Sequence, residues 1–187
     1  MPESLLVPAR SSLALRRSVA VALGTAAVAV AAQLAVPVPG TPVPLTLQPL
    51  AVLVVGGLLG PALGASSLIL YLALGAAGLP VFTPFGAPGL ARLLGPTGGY
   101  LLAYPVAAFA VGRLAGDGRR LGRVAVAVLA GLVLIHLGGL AQLVLLTGSA
   151  RLAARLGTFP FLLGDLGKLA IAVLILKPTT PALRARL

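Results

Sequence analysis

The chain has 187 residues, of which 59% are hydrophobic and only 9% charged. A soluble domain carries about 25% charged residues to cover its water-facing surface, so the outer surface here faces something apolar. The net charge of +11 has the sign of a nucleic-acid binder, but the basic residues stand at the ends of apolar runs and aromatic–basic interleaving is missing, which excludes that class.

Cysteine is absent, so there is no disulfide framework, thiol nucleophile or thiolate metal site, and one histidine with three carboxylates leaves little for a metal. The length suits a single domain spanning residues 1–187, and no charge-rich or low-complexity stretch marks a second one.

The first apolar run, Ser18 to Val36, follows Arg16-Arg17 and ends in a proline-rich stretch, 37–44. A signal peptide is the alternative, but the remainder is as apolar as this start, so the run reads as a retained span of about 20 residues. Ala22 and Ala26, Ala27 and Ala31, and Ala31 and Ala35 each stand four apart, a spacing that either lets another helix approach closely or reflects plain alanine abundance.

Pro49 to Leu79 follows without a single charge. As one helix it would reach roughly 46 Å at 1.5 Å per residue, too long for a ~30 Å hydrocarbon core. Gly60-Pro61 near its middle predicts two short helices, 49–60 and 61–78, joined by a tight turn. The segment 79–96, rich in proline and glycine and holding Arg92, reads as a loop.

A fourth run covers 97–114, a basic loop 113–123 follows, and a fifth run covers 124–147, interrupted only by His136 and Gln142. After a loop with Arg151 and Arg155, a sixth run goes from Phe159 to Leu176 and is ended by Lys177-Pro178. The expected architecture is all-α: a polytopic membrane protein of six transmembrane helices. Arg10, Arg16, Arg17, Arg113, Arg119, Arg120, Arg123, Lys177, Arg184 and Arg186 fall on one side, and Arg92, Arg151 and Arg155 on the other. The richer side is expected to be cytoplasmic, with both termini inside and the loops 37–48, 79–96 and 147–158 outside.

Asp165 and Lys168 lie inside the sixth apolar run. A charge in hydrocarbon costs at least about 2.5–3.5 kcal/mol, and at i and i+3 the two share a helix face and partly neutralise each other. Either they form a packing ion pair or they bind a polar ligand, and their place near the outer end of the span favours the ligand. Thr46 and Gln48, in VPLTLQP, put a hydroxyl and an amide beside a proline-stiffened loop. Gly95 to Tyr100, GPTGGY, is a rigid turn with a phenol opening the fourth helix.

Arg92 is an outer-side cation suited to a carboxylate or to a lipid headgroup. His136 reads as a hydrogen-bonded interior histidine, and Asp117, between two glycines, as a solvated residue. Gly167-Lys168 is no phosphate loop, because position 162 is leucine and Leu169 follows the lysine.

Four ordered blocks carry a family resemblance: PVPLTLQPLAVL from Pro42, GLPVF at 78–82, GPTGGYLL at 95–102 and PFLLGDLGK at 160–168. In these the chain resembles the BioY family, the biotin-specific substrate-binding subunits of energy-coupling factor (ECF) transporters. The resemblance implies a six-helix fold of a prokaryotic cell membrane that captures biotin from outside, without a cofactor and without enzymatic activity. It implies a transmembrane coupling protein and two cytoplasmic ATPases as partners, with Ala22 and Ala26 contacting the coupling protein. It makes Asp165 and Lys168 ligand contacts, and Thr46, Gln48, Arg92 and Tyr100 looser candidates. On that footing Asp165 is expected to accept from a ureido N–H, with Lys168 donating to the ureido oxygen or the valerate and Arg92 as the other carboxylate anchor. The rival readings are a subunit for another vitamin, an intramembrane enzyme using Asp165 or His136, and an assembly scaffold without ligand.

Overall fold

The computed structural model describes residues 7–185 and 187, with side chains from Ser12 onward; the Arg10 side chain and Arg186 lie outside the described residues. The described chain is mostly helical: α1 (Val7–Gln33), α2 (Gln48–Ala76), α3 (Leu90–Leu94), α4 (Gly98–Ala115), α5 (Leu121–Thr147), α6 (Ala150–Gly157) and α7 (Leu162–Arg184). A minimal antiparallel ladder, β1 (Ala35–Val36) with β2 (Leu45–Thr46), pairs Ala35 with Thr46. It pins both ends of the proline-rich segment and delivers the chain into α2.

Four helices are long and apolar enough to cross a membrane, and a fifth span results if α6 and α7, bent by 56° at their break, are taken together. Large apolar side chains point outward along these helices, among them Leu23, Val30, Ile69, Val106, Val126, Leu145 and Leu174. In water such a surface would be unfavourable, and against lipid it costs nothing.

Within α2 the backbone breaks at Gly60, where φ is 85° and ψ 178°. Pro61 has no amide to give to the carbonyl of Gly57, and only glycine takes that φ without steric penalty. The chain turns back on itself there: a Cβ on Gly64 would stand 2.9 Å from the Cα of Gly56. Eight residues of continuous helix would separate these two by roughly 12 Å, so the two halves of α2 lie side by side.

Four segments depart from the sequence reading. The first helix, expected over 18–36, covers Val7–Gln33 instead, because Ala35–Val36 leave it to pair with β2. Two of the segments expected as loops are not bare: α3 and α6 form inside them, and Ser149 caps α6 by accepting from the Leu152 amide. Helix α7 does not stop at Lys177-Pro178 but runs to Arg184 with Pro178 and Pro181 inside it. Tertiary anchoring offsets the helix bonds these prolines remove. Leu176 and Thr180 are fully buried, and Arg184 donates to the carbonyls of Gly57, Gly112 and Gly116. These carbonyls lie where the first half of α2 and the end of α4 run out of helical donors, so one guanidinium caps both.

Helix α4 sits centrally, packed against both α2 and α5, while α1 lies against α2, and α7 touches α2 and α5. Thr25 fixes α1 by donating to the Ser67 carbonyl at 2.9 Å. The core between these helices is apolar, with Leu53, Leu68, Val111, Val124 and Val128 fully buried. Toward the end that carries β1 and β2 it becomes polar.

Candidate functional site

Asp165 and Lys168 lie one turn apart at the start of α7 and are 3% and 6% exposed. Lys168 Nζ donates to Asp165 Oδ1 at 2.9 Å, and the other carboxylate oxygen is 2.7 Å from His136 Nε2 on α5. An ionised carboxylate only accepts, so the hydrogen of that second bond sits on Nε2. Charge, counter-charge and hydrogen-bond partners are thus all internal, the condition under which ions are tolerated in an apolar interior.

These three side chains line one wall of a cavity with about 600 Å³ of free space, counting its mouth. Tyr100, Leu101 and Tyr104 of α4 and Leu132 and Ile135 of α5 form its apolar body. The segment leading into α2 closes it with Val43, Pro44, Thr46, Gln48 and Pro49, and Phe82, Thr83, Thr97 and Phe161 complete it. The cavity lies toward the end of the bundle where β2 leads into α2; Arg184 and Gly60 lie at the other.

Thr46 and Gln48 form a short relay. The Gln48 amide N–H donates to Thr46 Oγ1 at 3.2 Å, and the Gln48 side-chain amide donates to the Tyr71 hydroxyl at 2.5 Å. Tyr71 meets the Phe82 ring edge-on at a centroid distance of 5.4 Å. Tyr100 contributes its ring to the wall, edge-on to His136 at 6.2 Å, and donates its hydroxyl to the Gly157 carbonyl at 2.6 Å. Two glycines make room for it: a Cβ on Gly139 would stand 2.1 Å from Tyr100 Cζ, and one on Gly157 2.2 Å from its hydroxyl.

Arg92 is buried but does not line the cavity. Its guanidinium donates to Thr83 Oγ1 at 3.0 Å, to the Thr83 carbonyl at 2.8 Å and to the Phe85 carbonyl. Gln33 of α1 ties the same loop from the other side, donating to the Phe82 carbonyl at 3.0 Å. Arg92 therefore holds the strap that carries Phe82 and Thr83. Burial lowers its pKa from the usual arginine value, and the coulombic interaction with Tyr71 raises it.

Of the sequence candidates, Asp165, Lys168, Thr46, Gln48 and Tyr100 meet at one cavity, and Arg92 stands behind its strap. Ala22 and Ala26 are exposed on α1, while Thr25 and Val28 of the same turns are buried, so the alanines face away from the bundle. Asp117 is exposed, with the Arg119 amide donating to it at 3.2 Å. The sequence reading placed His136 in the interior but not at the cavity; its partner is 29 residues away on another helix, and no spacing rule joins them. Tyr71 and Tyr104 gave no signal beyond being aromatic, and Phe82 was marked only as part of the GLPVF block.

The sequence model of the BioY family matches residues 6–185. A protein of Pyrococcus horikoshii described as a probable biotin transporter BioY is 44% identical over 155 residues, which cover 83% of this chain and 90% of that protein. The biotin transporter BioY of Thermotoga maritima is 36% identical over 161 residues, covering 86% of this chain and 94% of the other. A crystal structure at 2.1 Å of the S-component for biotin from an ECF-type ABC transporter superposes with a TM-score of 0.79 at 28% identity, over 87% of this chain and 89% of that one.

Proposed function

The chain belongs to the BioY family, and from that premise we propose that it is the biotin-capturing membrane subunit of an ECF-type vitamin uptake system. One observation carries the reading: a buried carboxylate–ammonium pair, with a histidine on the carboxylate, lines a cavity whose remaining wall is mostly apolar and aromatic. Biotin pairs an apolar fused ring and alkyl chain with a ureido group of two N–H donors and one oxygen acceptor. Asp165 keeps spare lone pairs after its two internal bonds, and Lys168 keeps spare N–H donors. Asp165 accepts a ureido N–H and Lys168 donates to the ureido oxygen or the valerate, while Tyr100 packs against the ring. Thr46 and Gln48 border the cavity as further polar contacts, and Arg92 acts on the ligand by holding the strap above it.

The membrane arrangement proposed is six crossings, counting the two halves of α2 separately, with both termini cytoplasmic. The reversal at Gly60 supports the count, and the gathering of Arg113, Arg119, Arg120, Arg123, Lys177 and Arg184 toward the end away from the cavity supports the orientation. Biotin then enters from outside. Energy comes from partners, a transmembrane coupling protein and two cytoplasmic ATPases, and the outward-facing Ala22 and Ala26 fit close approach of the coupling protein's helix.

Calorimetric titration of the detergent-purified chain with biotin, thiamine and riboflavin tests the substrate. Binding of biotin alone is expected; tight binding of another vitamin, with none of biotin, would move the chain to another substrate class.

A further inference from the structure

We propose that Tyr104 is a second donor to the ureido oxygen of biotin, beside Lys168, and that the ligand lies with its fused ring at the cavity floor. The proposal rests on the biotin reading and deepens it: Lys168 is given the ureido oxygen, not the valerate. The chain has three tyrosines. The Tyr71 hydroxyl accepts from Gln48 and the Tyr100 hydroxyl donates to the Gly157 carbonyl, while the Tyr104 hydroxyl makes no hydrogen bond among the described residues. Tyr104 is 3% exposed and lines the cavity. Its hydroxyl is not among the unpartnered polar atoms sealed from solvent, which belong to Arg92, His136, Thr158 and Thr180. It therefore keeps accessible surface, and in a wall residue packed on its other sides that surface opens into the cavity.

Depth follows from the helix directions. Helices α4 and α7 enter the bundle at the cavity end, where Thr97 and Phe161 line it, and finish at the Arg184 end, while α5 runs the opposite way. The innermost lining residues are therefore Tyr104 on α4, Leu132 on α5 and Lys168 on α7. They form a floor with one ammonium, one phenol hydroxyl and otherwise carbon. Phenylalanine would fill the same space, so packing does not require the hydroxyl, and a buried polar group without a protein partner is left for the occupant. A carbonyl oxygen has two lone pairs and takes two donors, and Lys168 keeps N–H groups after its bond to Asp165. The ionised valerate would accept the same donors, but Asp165 lines the same wall and repels it. The ureido group carries an N–H beside its oxygen, so it meets Asp165, Lys168 and Tyr104 together. The alkyl chain then runs back toward Thr46, Thr83 and Thr97 at the other end of the cavity.

Calorimetry on the detergent-purified chain, run in competition where binding is tight, compares biotin with the analogue whose ureido oxygen is replaced by sulfur, a weak acceptor. Tyr104→Phe is expected to bind biotin about threefold to tenfold more weakly, the loss of one neutral hydrogen bond, and to bind the thioxo analogue within about twofold of the unmodified chain. Biotin carboxamide, altered only at the far end, is expected to lose as much as biotin. Because the hydroxyl has no partner in the protein, the thermal midpoint of Tyr104→Phe is expected to stay level or rise. Unchanged biotin affinity in Tyr104→Phe, an equal loss for the thioxo analogue, a loss that disappears for the carboxamide, or a lowered midpoint overturns the proposal. No heat from biotin with the unmodified chain overturns the functional reading, and this contact with it.

Discussion

Replacing Asp165 with Asn separates binding from stability at the buried pair. The carboxylate accepts from Lys168 at 2.9 Å and from His136 at 2.7 Å, and both ends of the ion pair are almost sealed from solvent. Asparagine keeps the size and one acceptor but leaves Lys168 as a buried cation without a counter-charge. Breaking a buried pair from one side costs about 3–5 kcal/mol of stability. The lost charge-assisted bond to the ligand is worth about 1.5–3 kcal/mol, or roughly tenfold to 150-fold in affinity. Adding Lys168→Met removes the stranded cation and is expected to restore much of the stability while biotin affinity stays low. Calorimetry reads the affinity, and thermal unfolding in detergent reads the stability. Unchanged biotin affinity in Asp165→Asn, or a double variant less stable than the single one, would refute the reasoning.

Arg92→Lys keeps the charge but loses the fork that grips Thr83 and Phe85. Stopped-flow release of biotin is expected to be severalfold faster, equally so for biotin and its carboxamide; an effect confined to biotin would instead mean that Arg92 holds the carboxylate. Arg184→Gln strands carbonyls at the Gly60 turn and the end of α4, and should lower stability by about 1.5–3 kcal/mol with biotin affinity within about twofold. A large affinity loss there would contradict the separation of the two ends of the bundle. Leucine at both Ala22 and Ala26 should leave biotin binding to the isolated chain unchanged and abolish uptake by the assembled transporter, measured with radiolabelled biotin in cells. Normal uptake would remove these alanines from the partner surface.

The helical spans and the Asp165–Lys168 pair were legible because each rests on a local rule. Apolar runs have a length set by the bilayer, Gly60-Pro61 interrupts one of them, and two charges inside another stand out against their neighbours. The cavity was legible only in part. Thr46, Gln48 and Tyr100 were visible as polar groups near prolines and glycines, but their arrangement depends on contacts distant in sequence, such as Gln48 to Tyr71 and Tyr100 to Gly157. His136 was unreadable as a cavity residue because its meaning comes from a carboxylate on another helix. The continuation of α7 past Pro178 was hidden for the same reason. A proline predicts a stop locally, and only the anchoring of Arg184 on α2 and α4 overrides it. The strap role of Arg92 likewise needs a folded loop to appear.

The most direct test is a crystal structure of the chain grown with biotin. The ureido ring should lie in the cavity with hydrogen bonds to Asp165 and Lys168 and with Tyr100 against its edge. Biotin found elsewhere, with the Asp165–Lys168 wall untouched by it, would contradict the assignment.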